Sequence, residues 1–160
     1  MSTPAKTHVI LMADDDADDR LLAQDALAES HLEGQLNFVE NGEDLMDYLF
    51  HRGKYEQPGS APRPGLILLD LNMPRKDGRE ALREIKADPD LGRIPVVVLT
   101  TSKADTDIGG IYELGANSFI SKPVKFDALV KIMKVLGEYW FQTVELPAPK
   151  QTGLWLTTKP

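Results

Sequence analysis

The chain has 160 residues, 42% of them hydrophobic and 27% charged, enough for one globular domain with a sizeable core. It contains no cysteine, which excludes a disulfide framework, a thiolate metal site and a cysteine nucleophile. A net charge of -7 argues against nucleic acid or an anionic membrane surface as partner. No apolar run approaches the roughly 20 residues needed to span a bilayer, and the short polar start is not a secretory signal, so a cytoplasmic location is expected.

Residues 9–13 form an apolar run that ends in Asp14, Asp15 and Asp16. An amphipathic helix follows, with Leu22, Ala26 and Glu29 at helical spacing and Leu21 and Leu27 broadening the apolar stripe. Asp16, Asp18 and Asp19 suit the start of that helix, where its dipole favours negative charge. Asp14 and Asp15 lie at the strand end itself and are not explained this way. Residues 36–39 read as a short strand, and residues 43–52 as a helix with Leu45, Met46, Leu49 and Phe50 inward. Residues 53–63, rich in Gly and Pro, form a loop longer than the roughly 2 to 6 residues usual in α/β connections. The sequence leaves open whether that loop is functional or slack.

Residues 66–69 are four apolar residues between Gly65 and Asp70, the pattern of a strand buried on both faces. Taken alone, Asp70 reads equally as a turn cap and as a group at a ligand-binding sheet edge. Beyond Asp77-Gly78, a helix with Leu82 and Ile85 inward stops near Asp88-Pro89, since the residue before proline avoids the helical region. Residues 94–99 form a β-branched strand ending in Thr100, Thr101 and Ser102. Residues 104–114 predict a weak helix, because Gly109 and Gly110 each cost about 1 kcal/mol relative to Ala, and Gly115 ends it. Residues 118–121 form a strand ending at Lys122-Pro123, and residues 126–144 a long final helix that Pro147 and Pro149 cannot continue. Strands alternating with helices imply a parallel sheet covered on both faces.

A parallel sheet places the ends of its strands on one edge. Asp14, Asp15, Asp70, Thr100 and Lys122 each follow an apolar run and therefore gather there. Carboxylates without thiols form a hard oxygen site suited to Mg²⁺. A lysine and a hydroxyl facing it suit a phosphoryl group, and Asp70 is then the natural nucleophile. Neither a P-loop nor a GxGxxG fingerprint follows any strand, which argues against nucleotide binding.

These residues, with Leu69-Asp70-Leu71-Asn72-Met73-Pro74, Asp77-Gly78, Phe119 and Lys122-Pro123, resemble the receiver domain of two-component response regulators across nearly the whole chain. The resemblance implies a flavodoxin-like, five-stranded parallel sheet of order 2-1-3-4-5 over residues 9–146, with tails at 1–8 and 147–160. It implies that Asp70 accepts phosphate from a histidine kinase, and that Asp15, Asp70 and the Asn72 carbonyl bind Mg²⁺, with Asp14 helping through water. Lys122 would pair with the phosphoryl group across a cis Lys122-Pro123 bond. Thr100 and Phe119 would form the switch: the Thr100 hydroxyl moves to the phosphoryl oxygen and the Phe119 ring turns inward. Thr101 is a departure from the smaller residue usual there, and its bulk bears on access to Asp70.

The opening run Asp14 to Asp19, the long loop containing Arg63-Pro64-Gly65, and Tyr139-Trp140-Phe141 resemble more closely the phytochrome-associated single-domain regulators. That implies a light-regulated histidine kinase as donor and output by protein contact, without a DNA-binding domain. The final helix carries two apolar stripes, Leu129, Met133, Leu136 and Trp140 in one and Ile132, Val135 and Tyr139 in the other. A helix lying on a sheet needs only one, so a homodimer through this helix and its neighbouring face is expected. The competing function is a Mg²⁺-dependent phosphohydrolase with an Asp nucleophile; a resemblance to haloacid-dehalogenase-type enzymes would imply a second Asp two residues after the nucleophile as general acid. Asn72 stands there instead.

Overall fold

The computed structural model describes residues 8–31, 34–101 and 105–147. Five strands, β1 (Val9–Ala13), β2 (Gln35–Val39), β3 (Leu66–Leu69), β4 (Val96–Thr100) and β5 (Ser118–Ser121), form one sheet of order β2-β1-β3-β4-β5. All pairs are parallel, as the sequence predicts. Helices α1 (Ala17–Glu29), α2 (Gly42–Phe50), α3 (Gly78–Ala87), α4 (Asp105–Glu113) and α5 (Phe126–Gly137) alternate with the strands. The three central strands are buried along their whole length and the two edge strands only in part, which is why only β1, β3 and β4 read as continuous apolar runs.

Side chains alternate across the sheet, so each strand feeds two cores. Leu11, Ile67, Leu69, Val96 and Val98 pack with Leu45, Leu49, Leu82, Ile85 and Ile111 beneath α2, α3 and α4. Ile10, Met12, Leu66, Leu68 and Val97 pack with Ala23, Ala26, Leu27, Met133 and Leu136 beneath α1 and α5. Two details of this packing differ from expectation. In α1 the buried residues are Ala23, Ala26 and Leu27, whereas Leu21 and Leu22 are 60% and 43% exposed. Small alanines let α1 sit close to the sheet and to α5, and the bulkier leucines turn outward. The final helix is α-helical only to Gly137, and Glu138–Thr143 forms a π-turn. The wider turn carries Trp140 and Phe141 together onto the core margin, where Phe141 stacks on His8 with ring centres 4.3 Å apart. A Cβ on Gly65 would lie 3.0 Å from Leu146 and 3.1 Å from Phe141, so glycine lets this segment close over the start of β3.

The long loop is anchored rather than slack. The buried Tyr48 hydroxyl donates to the Pro62 carbonyl at 2.7 Å and accepts from Asn37 at 3.0 Å. His51 Nε2 lies 3.0 Å from the Ala61 carbonyl, Ala61 is in the core, and the Arg63 guanidinium grips both carboxylate oxygens of buried Asp90 at 3.1 Å. Positive φ at His51 (55°) ends α2 and turns the chain into this loop. Trp155 and residues 148–160 lie outside the described residues, as do 1–7.

The Tyr48→Phe variant removes one buried donor and strands the Pro62 carbonyl. It is expected to lose about 1 kcal/mol of unfolding free energy in a urea titration; an unchanged midpoint would mean that the loop is slack after all.

Candidate functional site

The register of the central strands builds the site. Ala13 of β1 pairs with Leu69 of β3, so Asp14 and Asp70, the next residues, emerge side by side. Leu69 pairs with Val98, placing the end of β4 beyond Asp70, and Thr100 pairs with Ser121, placing Lys122 next to it. The Asp70 amide donates to the Ala13 carbonyl at 3.0 Å and the Lys122 amide to the Thr100 carbonyl at 2.8 Å, so the hydrogen-bond ladder runs into the site. After Asp70 the chain turns back tightly. A Cβ on Gly78 would lie 2.4 Å from the Asp70 carbonyl and 2.7 Å from the Leu71 Cα, so only glycine lets α3 begin against the strand end. Asp77 caps that helix by accepting from the Arg79 amide at 2.7 Å.

Asp70 is 7% exposed and both of its oxygens are held. Oδ1 accepts from the Thr100 hydroxyl at 2.8 Å and from the Asn72 amide at 3.1 Å, and Oδ2 accepts from Lys122 Nζ at 2.8 Å. Asp14 is fully buried; its Oδ1 accepts from the Asp16 amide at 2.9 Å. The Lys122 ammonium lies 2.7 Å from Asp14 Oδ2, but off the direction of a hydrogen bond, so that oxygen is charge-paired without a directed donor. Lys122 also donates to Asp19 Oδ2 at 2.7 Å. Burial alone would lower the Lys122 pKa, but the adjacent Asp14, Asp19 and Asp70 carboxylates outweigh it and hold the ammonium above its ordinary value. Burial pushes the Asp14 carboxyl above its ordinary value despite Lys122 and the Asp16 amide, which pull it down.

The predicted residues Asp14, Asp15, Asp70, Thr100 and Lys122 thus meet. Asp14, Asp15 and Asp70 each offer an oxygen within 4.8 Å of the others, with Asp15 exposed at the mouth. An all-carboxylate donor set and a buried carboxylate oxygen lacking a directed donor fit a hard divalent cation. Asn72 is joined to Asp70 through its amide, and its side chain is exposed. Phe119 lies apart from the carboxylates, half-buried on β5 against the core under α2 to α4, with its amide donating to the Tyr112 hydroxyl at 3.1 Å. Thr101 is exposed on the same edge.

Two expectations are corrected. The Lys122-Pro123 bond is trans, and the described residues contain no cis peptide; proline admits both forms within about 0.5–1 kcal/mol, and the trans form already brings Nζ to all three carboxylates. Asp19 is not merely a charge at the start of α1. Its place in the first turn of α1, just after the end of β1, keeps it beside the sheet edge.

The family profile described as "Response regulator receiver domain" matches residues 10–134. The chain belongs to the response regulator receiver family. Response regulator Rcp1 of Synechocystis sp. is 45% identical over 147 residues, covering 92% of this chain and 97% of that protein. The crystal structure of the Mn²⁺-bound form of Rcp1 superposes with a TM-score of 0.79, covering 88% of this chain and 99% of that one. The phosphorylated cyanobacterial phytochrome response regulator RcpA, 44% identical, gives 0.82 with 89% and 100% covered. Response regulator RPA3017, described as acting in red light signalling of R. palustris, is 33% identical with a TM-score of 0.83, covering 88% of this chain and 99% of that one. The fold is accordingly the flavodoxin-like receiver fold, and the chain is a signalling protein of the two-component class.

A carboxyl whose native pKa lies above its unfolded value binds its proton more tightly when folded, so stability falls as pH rises through that range. Asp14→Asn removes that penalty. In chelator-treated protein at neutral pH the variant is expected to be more stable than wild type by about 1 kcal/mol. The gain should shrink as pH falls and vanish below the ordinary carboxyl value of 3.8. Denaturant titrations across that pH range measure it, and a variant less stable at neutral pH would mean that the Lys122 pair outweighs burial.

Proposed function

We propose that Asp70 is the phosphoacceptor, that a histidine kinase of the phytochrome type is the donor, and that the protein signals by contact with other proteins. The observation that carries this is the Asp70 carboxylate. It is 7% exposed, held at one oxygen by Thr100 and Asn72 and at the other by Lys122, beside Asp14 and Asp15. In the transfer, an Asp70 oxygen attacks the phosphorus of a phosphorylated imidazole. The new P–O bond forms as the P–N bond breaks, and the electron pair returns to the imidazole nitrogen. Lys122, Thr100 and the Asn72 amide are then placed to donate to the phosphoryl oxygens in place of the carboxylate.

Mg²⁺, held by Asp15, Asp70 and the Asn72 carbonyl with Asp14 through water, would supply the charge that lets an anionic phosphoryl group approach these carboxylates. Rcp1 is described as Mn²⁺-bound and RcpA as phosphorylated and phytochrome-linked, which supports the same chemistry and the same kind of kinase here. Asn72 cannot donate a carboxyl proton, so an acyl phosphate on Asp70 has no built-in acid for rapid turnover. This favours a stored signal over a phosphohydrolase, with self-phosphorylation and self-dephosphorylation as the only enzymatic steps. Among the described residues no helix is long and apolar enough to cross a membrane, in keeping with a cytoplasmic partner of a kinase.

Incubation with acetyl phosphate and Mg²⁺ followed by intact mass is expected to show one added phosphoryl group on the native chain and none on Asp70→Asn. Equal labelling of both would refute Asp70 as the acceptor.

The output face is the outward side of α4, β5 and α5. Met133 and Leu136 are buried on the sheet, and Leu129 and Trp140 pack at its margin, so the first apolar stripe of α5 is satisfied. Ile132 joins that margin, but Val135 and Tyr139 of the second stripe are 56% and 49% exposed, as is Tyr112 of α4 at 47%. Exposed aromatics and aliphatics on one face mark an interaction surface, here proposed to be a homodimer. Sedimentation velocity at micromolar concentration is expected to show a dimer that Val135→Glu or Tyr139→Glu converts to monomer. A monomeric native chain, with and without phosphoryl analogue, would sink the dimer.

A further inference from the structure

Asp19 is the carboxylate at this edge that the expected site did not contain. It sits in the first turn of α1 with its side chain 34% exposed, and its Oδ2 accepts a directed bond from Lys122 at 2.7 Å. We propose that Asp19 is a positioning residue: it draws the Lys122 ammonium toward α1 and so keeps Asp14 and Asp70 available to a divalent cation. The proposal rests on the cation-assisted phosphoacceptor reading above and adds a residue to it.

An ammonium has three N–H donors. One goes to Asp19 Oδ2 and one to Asp70 Oδ2, and Asp14 Oδ2 sits 2.7 Å away without a directed bond. With two of its N–H groups fixed by Asp19 and Asp70, the ammonium is held in an orientation that leaves Asp14 Oδ2 without a directed bond. When the Asp19 charge is lost, Asp14 and Asp70 are, among the described residues, the anions left in direct contact with the ammonium, and they are the oxygens a cation requires. The cation must then displace a tighter ion pair, which weakens its binding. The loss of one negative charge near the site acts in the same direction, and Asp18→Asn measures that part by itself. The geometry supplies an internal control. Asp18 carries the same charge on the same turn, but its side chain is exposed and makes no bond to Lys122.

The test is Mn²⁺ binding to the full chain, followed by loss of the free-ion electron paramagnetic resonance signal, with melting curves to confirm that each variant is folded. Asp19→Asn is expected to weaken Mn²⁺ binding about tenfold, the low end for residues that orient metal ligands. Asp18→Asn is expected to weaken it no more than about twofold, as for an exposed charge, and Asp19→Glu to recover most of the loss. In a Lys122→Met background, Asp19→Asn should cost no more than Asp18→Asn, because the residue acts through the lysine. Equal losses from Asp19→Asn and Asp18→Asn in the native background, or an Asp19 effect that persists without Lys122, would overturn the proposal. If native protein binds Mn²⁺ and is phosphorylated while Asp19→Asn behaves like Asp18→Asn, only the role of Asp19 is removed. If native protein binds no Mn²⁺, the cation site and this inference fall together.

Discussion

The functional edge of this protein depends on one ammonium. Lys122 Nζ reaches Asp14, Asp19 and Asp70 at 2.7, 2.7 and 2.8 Å, and its side chain is only 13% exposed. These residues come from β1, α1, β3 and the end of β5, so a single cation ties together elements from both ends of the chain. With Asp15 counted, the edge holds four carboxylates against one lysine. Such a cluster is expensive when nothing further neutralises it, because burial disfavours each charged carboxylate. The raised Asp14 pKa is the local sign of that cost. A cation bound among these carboxylates would offset that cost and stabilise the folded chain.

The register of the sheet turns this charge arrangement into a defined geometry. Backbone bonds from Asp70 to Ala13 and from Lys122 to Thr100 set the positions of these residues independently of their side-chain contacts. Gly78 then lets α3 press against the Asp70 carbonyl, closing the turn that carries Asn72. The apolar interior of β1, β3 and β4 pins the register, because a one-residue slip would move every side chain to the other core. Core packing and site geometry are thus the same constraint seen at two points along each strand.

This explains what was legible in the sequence. Asp14, Asp15, Asp70, Thr100 and Lys122 could be placed because each ends an apolar run, and the end of a central strand in a parallel sheet has only one location. The strand order itself needed the family resemblance. What was missed depends on packing across elements. Leu21 and Leu22 carry the helical period as well as Ala23 does, and only the tight contact of α1 with the sheet and α5 decides which residues turn inward. The anchored loop depends on Tyr48 and Arg63 meeting the Pro62 carbonyl and Asp90, neither pairing marked by local pattern. Asp19 was hidden by a sufficient local explanation, since an acid in the first turn of a helix needs no further reason.

On the proposed function, the same geometry offers phosphorylation a route outward. Thr100, Asn72 and Lys122 all spend donors on the Asp70 carboxylate in this structure. A phosphoryl group on Asp70 adds oxygens farther from the strand end, so on the proposed mechanism these donors follow it outward by roughly one bond length rather than swinging in from elsewhere. Thr100 and Lys122 are adjacent through the bond between their strands, and a shift of both acts on β5. Phe119 lies on that strand, with its amide bound to the Tyr112 hydroxyl of α4. Tyr112 is exposed, as are Val135 and Tyr139 of α5 and the turn that follows it. On the proposed mechanism a displacement at the strand ends would reach Tyr112 through this single strand. The Phe119 ring is half-buried against the core under α2 to α4, on the strand through which the proposed coupling would run.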